Sequence, residues 1–109
     1  MRQVKIVENT IGILPCEVSL NKILIKFNDA GLIRYTTQRY HMYKNGVREI
    51  NSVKDASFRK RLLILWKKEV LSTIENSSYN NEKYASAITH LKCCIAAKHK
   101  QVINNESVL

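Results

Sequence analysis

The sequence predicts an all-α domain, a small bundle of about four helices arranged as helical hairpins. Three observations carry this expectation. The chain has only three glycines and one proline in 109 residues, too few for a barrel or sandwich built on tight turns. Its apolar residues recur at spacings of three and four over several stretches. Short clusters of Asn, Asp, Ser and Gly separate those stretches.

Residues 1–15 hold Val4, Ile6, Ile11, Ile13 and Leu14 without clean periodicity and close at Pro15, which suggests an N-terminal arm or a short strand. From Glu17 the pattern becomes helical: Val18, Leu20, Ile23, Leu24 and Phe27 recur at spacings of two to four, and Asn28-Asp29-Ala30-Gly31 reads as a stop. A second helix is expected over residues 33–43, ended by the turn dipeptide Asn45-Gly46. Asp55 or Ser57 can cap a third helix running to about Ile74. Projected at 100° per residue, its Phe58, Leu62, Leu63, Leu65, Trp66, Val70 and Ile74 form one broad apolar face. A polar loop over residues 75–81 leads to a last helix over about 82–103, with Tyr84, Ala87, Ile88, Leu91, Cys94, Ile95 and Val102 turned inward. Residues 104–109 read as a frayed tail, and the whole as a single domain.

Charge is the outlying property. Net charge is +9. Residues 34–68 hold ten of the eighteen basic side chains against only Glu49 and Asp55. Crowded like charges do nothing for a fold, so such a segment points to an anionic partner. Arg34, Arg39, Arg59, Lys60, Arg61, Lys67 and Lys68 are the candidate nucleic-acid contacts. Lys and Arg grip phosphates by charge, and Arg also enters a narrow A·T-rich minor groove. Lys60 and Lys67 lie opposite the apolar face of the third helix, with Arg61 and Lys68 beside them. Ile64 and Leu71 fall in that basic sector and are candidate dimer contacts. Tyr35, Tyr40 and Tyr43 stand at helical spacing and belong to the core.

A helix-turn-helix can be drawn with Gly31 at the turn and Thr36, Thr37, Gln38, Arg39 and His41 on the second helix. Thr37 and Gln38 would then be the candidate base contacts. A plain helical hairpin fits these residues as well, because Thr37 takes a place where such motifs bury an aliphatic side chain.

Chemistry finds little footing. There is no glycine-rich phosphate loop, no nucleophile-His-acid arrangement and no carboxylate pair, so an enzyme is not expected. Neither are a cofactor or a metal. His90, Cys93, Cys94 and His99 share one helix on which Cys93 and Cys94 point about 100° apart and cannot readily hold one ion. Three cysteines, two of them adjacent, suggest reduced thiols in the cytoplasm and no disulfide framework. No apolar run is long enough to span a bilayer, and no secretion signal is seen. The residues leave open a small effector beside Trp66.

The run Ala30-Gly31-Leu32-Ile33-Arg34-Tyr35-Thr36-Thr37-Gln38-Arg39-Tyr40 resembles the signature of the PerC-like transcriptional regulators of enteric bacteria and their phages. That signature has Gly-Leu-aromatic-Arg, two small residues, then Arg before Trp or Tyr. Ile33 stands here for the aromatic residue, and Thr36-Thr37 for a usual pair of alanines. A second block, Arg61-Leu62-Leu63-Ile64 with Lys67-Lys68-Glu69, is similar to the family's basic block, with Leu71 at its cysteine-like position. The resemblance spans about residues 28–71. It implies a small α-helical cytoplasmic regulator that activates virulence or horizontally acquired promoters, often A·T-rich ones.

The expected function is therefore a DNA-binding transcriptional regulator, a homodimeric activator on an A·T-rich duplex. Two alternatives stand beside it. One is a phage or mobile-element modulator binding an acidic host protein, since residues 31–43 and 82–91 share a small-residue and aromatic pattern with tetratricopeptide-like modules. The other is an RNA-binding protein.

Overall fold

The computed structural model describes residues 15–108; of the expected N-terminal arm over 1–15, residues 1–14 lie outside them and Pro15 opens the first helix. They form four α-helices: α1 (Pro15–Phe27), α2 (Ala30–Ile50), α3 (Ala56–Glu75) and α4 (Ala85–Val108). One 3-10 turn, Glu82–Tyr84, leads into α4. The all-α bundle follows from the sequence pattern, and among the described residues there is no strand.

α1 and α2 meet at a two-residue corner. Asn28 adopts a left-handed φ of 50° that ends α1. Asp29 then caps α2, its Oδ1 accepting from Gly31 N at 2.9 Å and Leu32 N at 3.2 Å. Its other oxygen accepts from the Tyr84 hydroxyl, which ties the corner to the 3-10 turn and holds the Asp29 carboxyl below its usual range. Phe27, Tyr84, Tyr79 and Tyr35 make a chain of ring contacts around this corner. Gly31 is therefore not the turn residue; it lies in the first turn of α2.

The expected stop at Asn45-Gly46 is overruled by tertiary packing. α2 runs unbroken through both residues to Ile50. The missing Cβ of Gly46 makes a flat seat for the indole of Trp66, whose Nε1 donates to Tyr43 O at 3.1 Å. Because Tyr35 reaches Thr73 and Tyr43 reaches Trp66, α2 and α3 are antiparallel. Asp55 is the cap of α3, accepting from Phe58 N at 3.1 Å.

α4 is the common partner of the other helices, burying Ala87, Ile88, Leu91, Cys94 and Ile95. Leu20 and Leu24 of α1, Leu32, Tyr40, Tyr43 and Val47 of α2, and Leu63, Val70 and Ile74 of α3 complete the core. Thr36 is fully buried between these residues and is satisfied by donating to Leu32 O and Ile33 O, both at 3.0 Å. α4 continues as helix to Val108, past the expected tail boundary.

Two expectations need correction. The buried face of α3 is narrower than the projection suggested. It is centred on Leu63, Val70 and Ile74, while Phe58 and Leu65 are 45% and 59% exposed. The cysteines are not all free thiols either. Cys16 and Cys94 form a disulfide between α1 and α4, with Cα atoms 5.3 Å apart across 78 residues, and Cys93 alone is free. Cys16 is remote from Cys94 in sequence, and only the fold brings the two together. Closing so long a loop removes about 4.5 kcal/mol of chain entropy from the unfolded state.

The Trp66 seat gives a direct prediction. On an unconstrained helix Gly→Ala stabilises by about 1 kcal/mol, but a Cβ on Gly46 would stand 2.3 Å from the indole ring. Gly46→Ala should therefore destabilise by about 1–3 kcal/mol in urea unfolding. Gly31→Ala, which meets the movable end of Tyr79 at 2.6 Å, should cost less.

Candidate nucleic-acid interface

The seven basic candidates do not form one patch. Lys60, Arg61 and Lys68 are exposed on the outward side of α3; Lys60 and Arg61 are neighbours and Lys68 follows about two turns later, so that at 100° per residue the three fall within a sector about 100° wide. Among the described residues no carboxylate lies within 4 Å of any of them; the ion pairs there join Lys44 to Glu17 at 3.5 Å and Lys92 to Glu75 at 2.8 Å. Arg61 leans over the Phe58 ring, its guanidinium carbon 5.9 Å from the centroid, a contact that leaves its outer donors available.

Three of the other candidates, Arg59, Arg39 and Lys67, are half-buried in the fold. Arg59 is half-buried, and its guanidinium donates to Val53 O, which fastens the link between α2 and α3. Arg39 is half-buried, with its guanidinium carbon 5.2 Å from the Tyr35 ring centre and Nη1 donating to Met42 Sδ at 3.3 Å. Lys67 is half-buried and near His99 of α4. Arg34 is exposed, but on α2 and not on the α3 row.

The candidate base readers, neighbours on α2, border two different hollows. Thr37 is exposed beside a cavity of about 160 Å³ between α1 and α2, lined also by Glu17, Asn21, Tyr40 and His41. Gln38 faces an open groove of about 470 Å³ bordered by Met42, Glu49 and Trp66. This groove is the place beside Trp66 that the sequence left open for an effector. The tyrosines are structural, in keeping with their spacing: Tyr40 and Tyr43 are buried and Tyr35 is half-buried. Burial pushes the Tyr43 hydroxyl up to about 12, and burial followed by the nearby Glu17 carboxylate pushes Tyr40 up as well.

The two candidate dimer contacts separate. Ile64 is 54% exposed amid the cations, whereas Leu71 packs against the core. Exposed Ile64, Leu65 and Phe58 thus give the outward side of α3 an apolar component beside its charge. Lys60, Arg61 and Lys68 were legible from charge and helical period. The anchoring of Arg59 and Arg39 was not, because it depends on contacts outside any local pattern.

Compared with family models, curated proteins and solved structures, the chain finds no match. The likeness to PerC-like regulators therefore rests on the residues that carry it.

Behind the basic edge, Tyr43 and His99 share a hydrogen bond, Oη to Nδ1 at 3.1 Å. Burial, and then the charge of Lys67, depress the His99 pKa. A group whose folded pKa is depressed gives stability that is fully present above its unfolded value of about 6.5 and is lost as pH falls toward the folded value. Stability should therefore decline on acidification below about pH 6.5. His99→Gln should flatten that decline in Tm measured across pH.

Proposed function

We propose that this chain is a DNA-binding transcriptional regulator that holds an A·T-rich duplex with the outward side of α3, working in the cytoplasm as a homodimer. The observation that carries the reading is the trio Lys60, Arg61 and Lys68: exposed, on one sector of a rigid helix, and without a neutralising carboxylate among the described residues. Cations held this way release condensed counterions when they meet phosphates, which supplies affinity without base recognition. Exposed Arg34 extends the charge onto α2 and is a candidate for minor-groove insertion. Ile64, with Leu65 beside it, supplies the self-contact that would double the phosphate contacts on one duplex. The likeness to PerC-like regulators over residues 28–71 supports the same reading and suggests that regulation is positive.

A second reading has its own observation. Phe58, Ile64 and Leu65 are exposed among the cations, and an apolar ridge rimmed by positive charge also suits an acidic protein partner. Nothing in the site calls for catalysis, and the proposal assigns none.

The salt dependence of binding to a short A·T-rich duplex separates the readings. Each phosphate contact contributes about 0.9 to the slope of log affinity against log salt. Changing Lys60, Arg61 and Lys68 together to alanine should flatten the slope by about 2–3, while Arg39→Ala should leave it nearly unchanged. A shallow slope that does not respond to the triple variant would contradict the duplex reading. Competition by RNA, or by an acidic peptide at equal charge, would redirect it.

A further inference from the structure

The disulfide has a third member. His90 lies one turn before Cys94 on α4, and its Nε2 is 3.9 Å from Cys16 Sγ. The two sulfurs and an imidazole nitrogen all lie within 4.8 Å of one another. Two of these donors come from α4 at i and i+4, which share a helix face; the third comes from the first turn of α1. Cys93, the residue next to Cys94, points elsewhere and is exposed.

We propose that, once the Cys16–Cys94 bond is reduced, Cys16, His90 and Cys94 bind a thiophilic divalent cation of the zinc class. A tetrahedral site with metal–sulfur bonds of about 2.3 Å and metal–nitrogen bonds of about 2.0 Å has ligand edges of roughly 3.4–3.8 Å. The three donors need only small side-chain rotations to meet that geometry. Two thiolates and one imidazole select zinc over magnesium or calcium. Two thiolate charges neutralise a divalent ion, which suits the setting: Cys94 is buried and Cys16 and His90 are half-buried. A solvent molecule or an outside ligand completes the coordination.

The chemistry balances in two steps. A dithiol reductant supplies two electrons and two protons, is itself oxidised to a disulfide, and leaves Cys16 and Cys94 as thiols. The ion then displaces both thiol protons and takes the lone pair of His90 Nε2. In the disulfide form that nitrogen is 3.2 Å from the Cys16 carbonyl, within hydrogen-bond reach; coordination requires the ring proton to reside on Nδ1. α1 is thereby fastened to α4 under both conditions, by a covalent bond when oxidised and by a metal when reduced. This proposal is independent of the DNA-binding reading, since none of its three residues lies on α3.

Anaerobic titration of the reduced full-length chain with cobalt(II) tests it. The expected result is one ion per chain, with thiolate-to-cobalt charge transfer in the near ultraviolet, tetrahedral visible bands, two protons released, and displacement by one equivalent of zinc. The oxidised chain should show none of these signals. Cys16→Ser and His90→Gln should lose the tetrahedral spectrum, and Cys93→Ser should keep it, with far-ultraviolet circular dichroism checking that each variant is folded. Reduced, helical wild-type chain without charge transfer would overturn the proposal regardless of how the variants behave. So would a spectrum that survives Cys16→Ser or His90→Gln, or one that requires Cys93.

Discussion

Everything in this bundle leans on the buried face of α4. Ala87, Ile88, Leu91, Cys94 and Ile95 are inaccessible to solvent or nearly so, and each of the other three helices contributes side chains to the same core. α4 therefore acts as a spine, and the dominant stabilising term is the removal of this apolar surface from water. The consequence for function is geometric. α3 lays Leu63, Val70 and Ile74 against the core, and that orientation forces Lys60, Arg61 and Lys68 outward. Their exposure is a result of where the core sits.

Polar features then fix the details that hydrophobic packing leaves loose. Asp29 both caps α2 and accepts from Tyr84, which sets the corner between α1 and α2 against the 3-10 turn. The indole of Trp66 bonds to a carbonyl of α2 and rests on Gly46, which sets how α3 lies along α2. The Cys16–Cys94 link fastens α1 at its first turn. Charge participates as well, but in two different roles. Arg59 and Arg39 serve the scaffold, while Lys60, Arg61 and Lys68 stand exposed on α3.

Much of this architecture was legible in the sequence because helical period and capping residues are local signals. The existence of all four helices and the burial of Tyr40 and Tyr43 follow from spacing, and the structure decides for Asp55 between the two caps, Asp55 and Ser57, that residue type offered for α3. What was not legible depends on contacts between distant residues. Asn45-Gly46 is a turn signal by composition, yet it becomes helix interior because a ring 20 residues along the chain needs a place without a Cβ. Phe58 and Leu65 look like core on a helical projection, but the neighbouring helices cover only one part of α3. Cys16 gave no sign of Cys94 as its partner, since 78 residues separate them. The division of the basic residues into anchored and free ones was hidden for the same reason: charge counts along a chain say nothing about which guanidinium is occupied.

The central claim is that the outward side of α3, and not the chain's net charge in general, is the surface that meets the partner. Amide chemical-shift mapping of the labelled protein with a short A·T-rich duplex tests it most directly. The account predicts perturbations concentrated at Lys60, Arg61, Ile64 and Lys68, extending to Arg34, with α1 and the buried face of α4 unmoved. Shifts spread evenly over every basic residue, or clustered on α1 and α4, would contradict it.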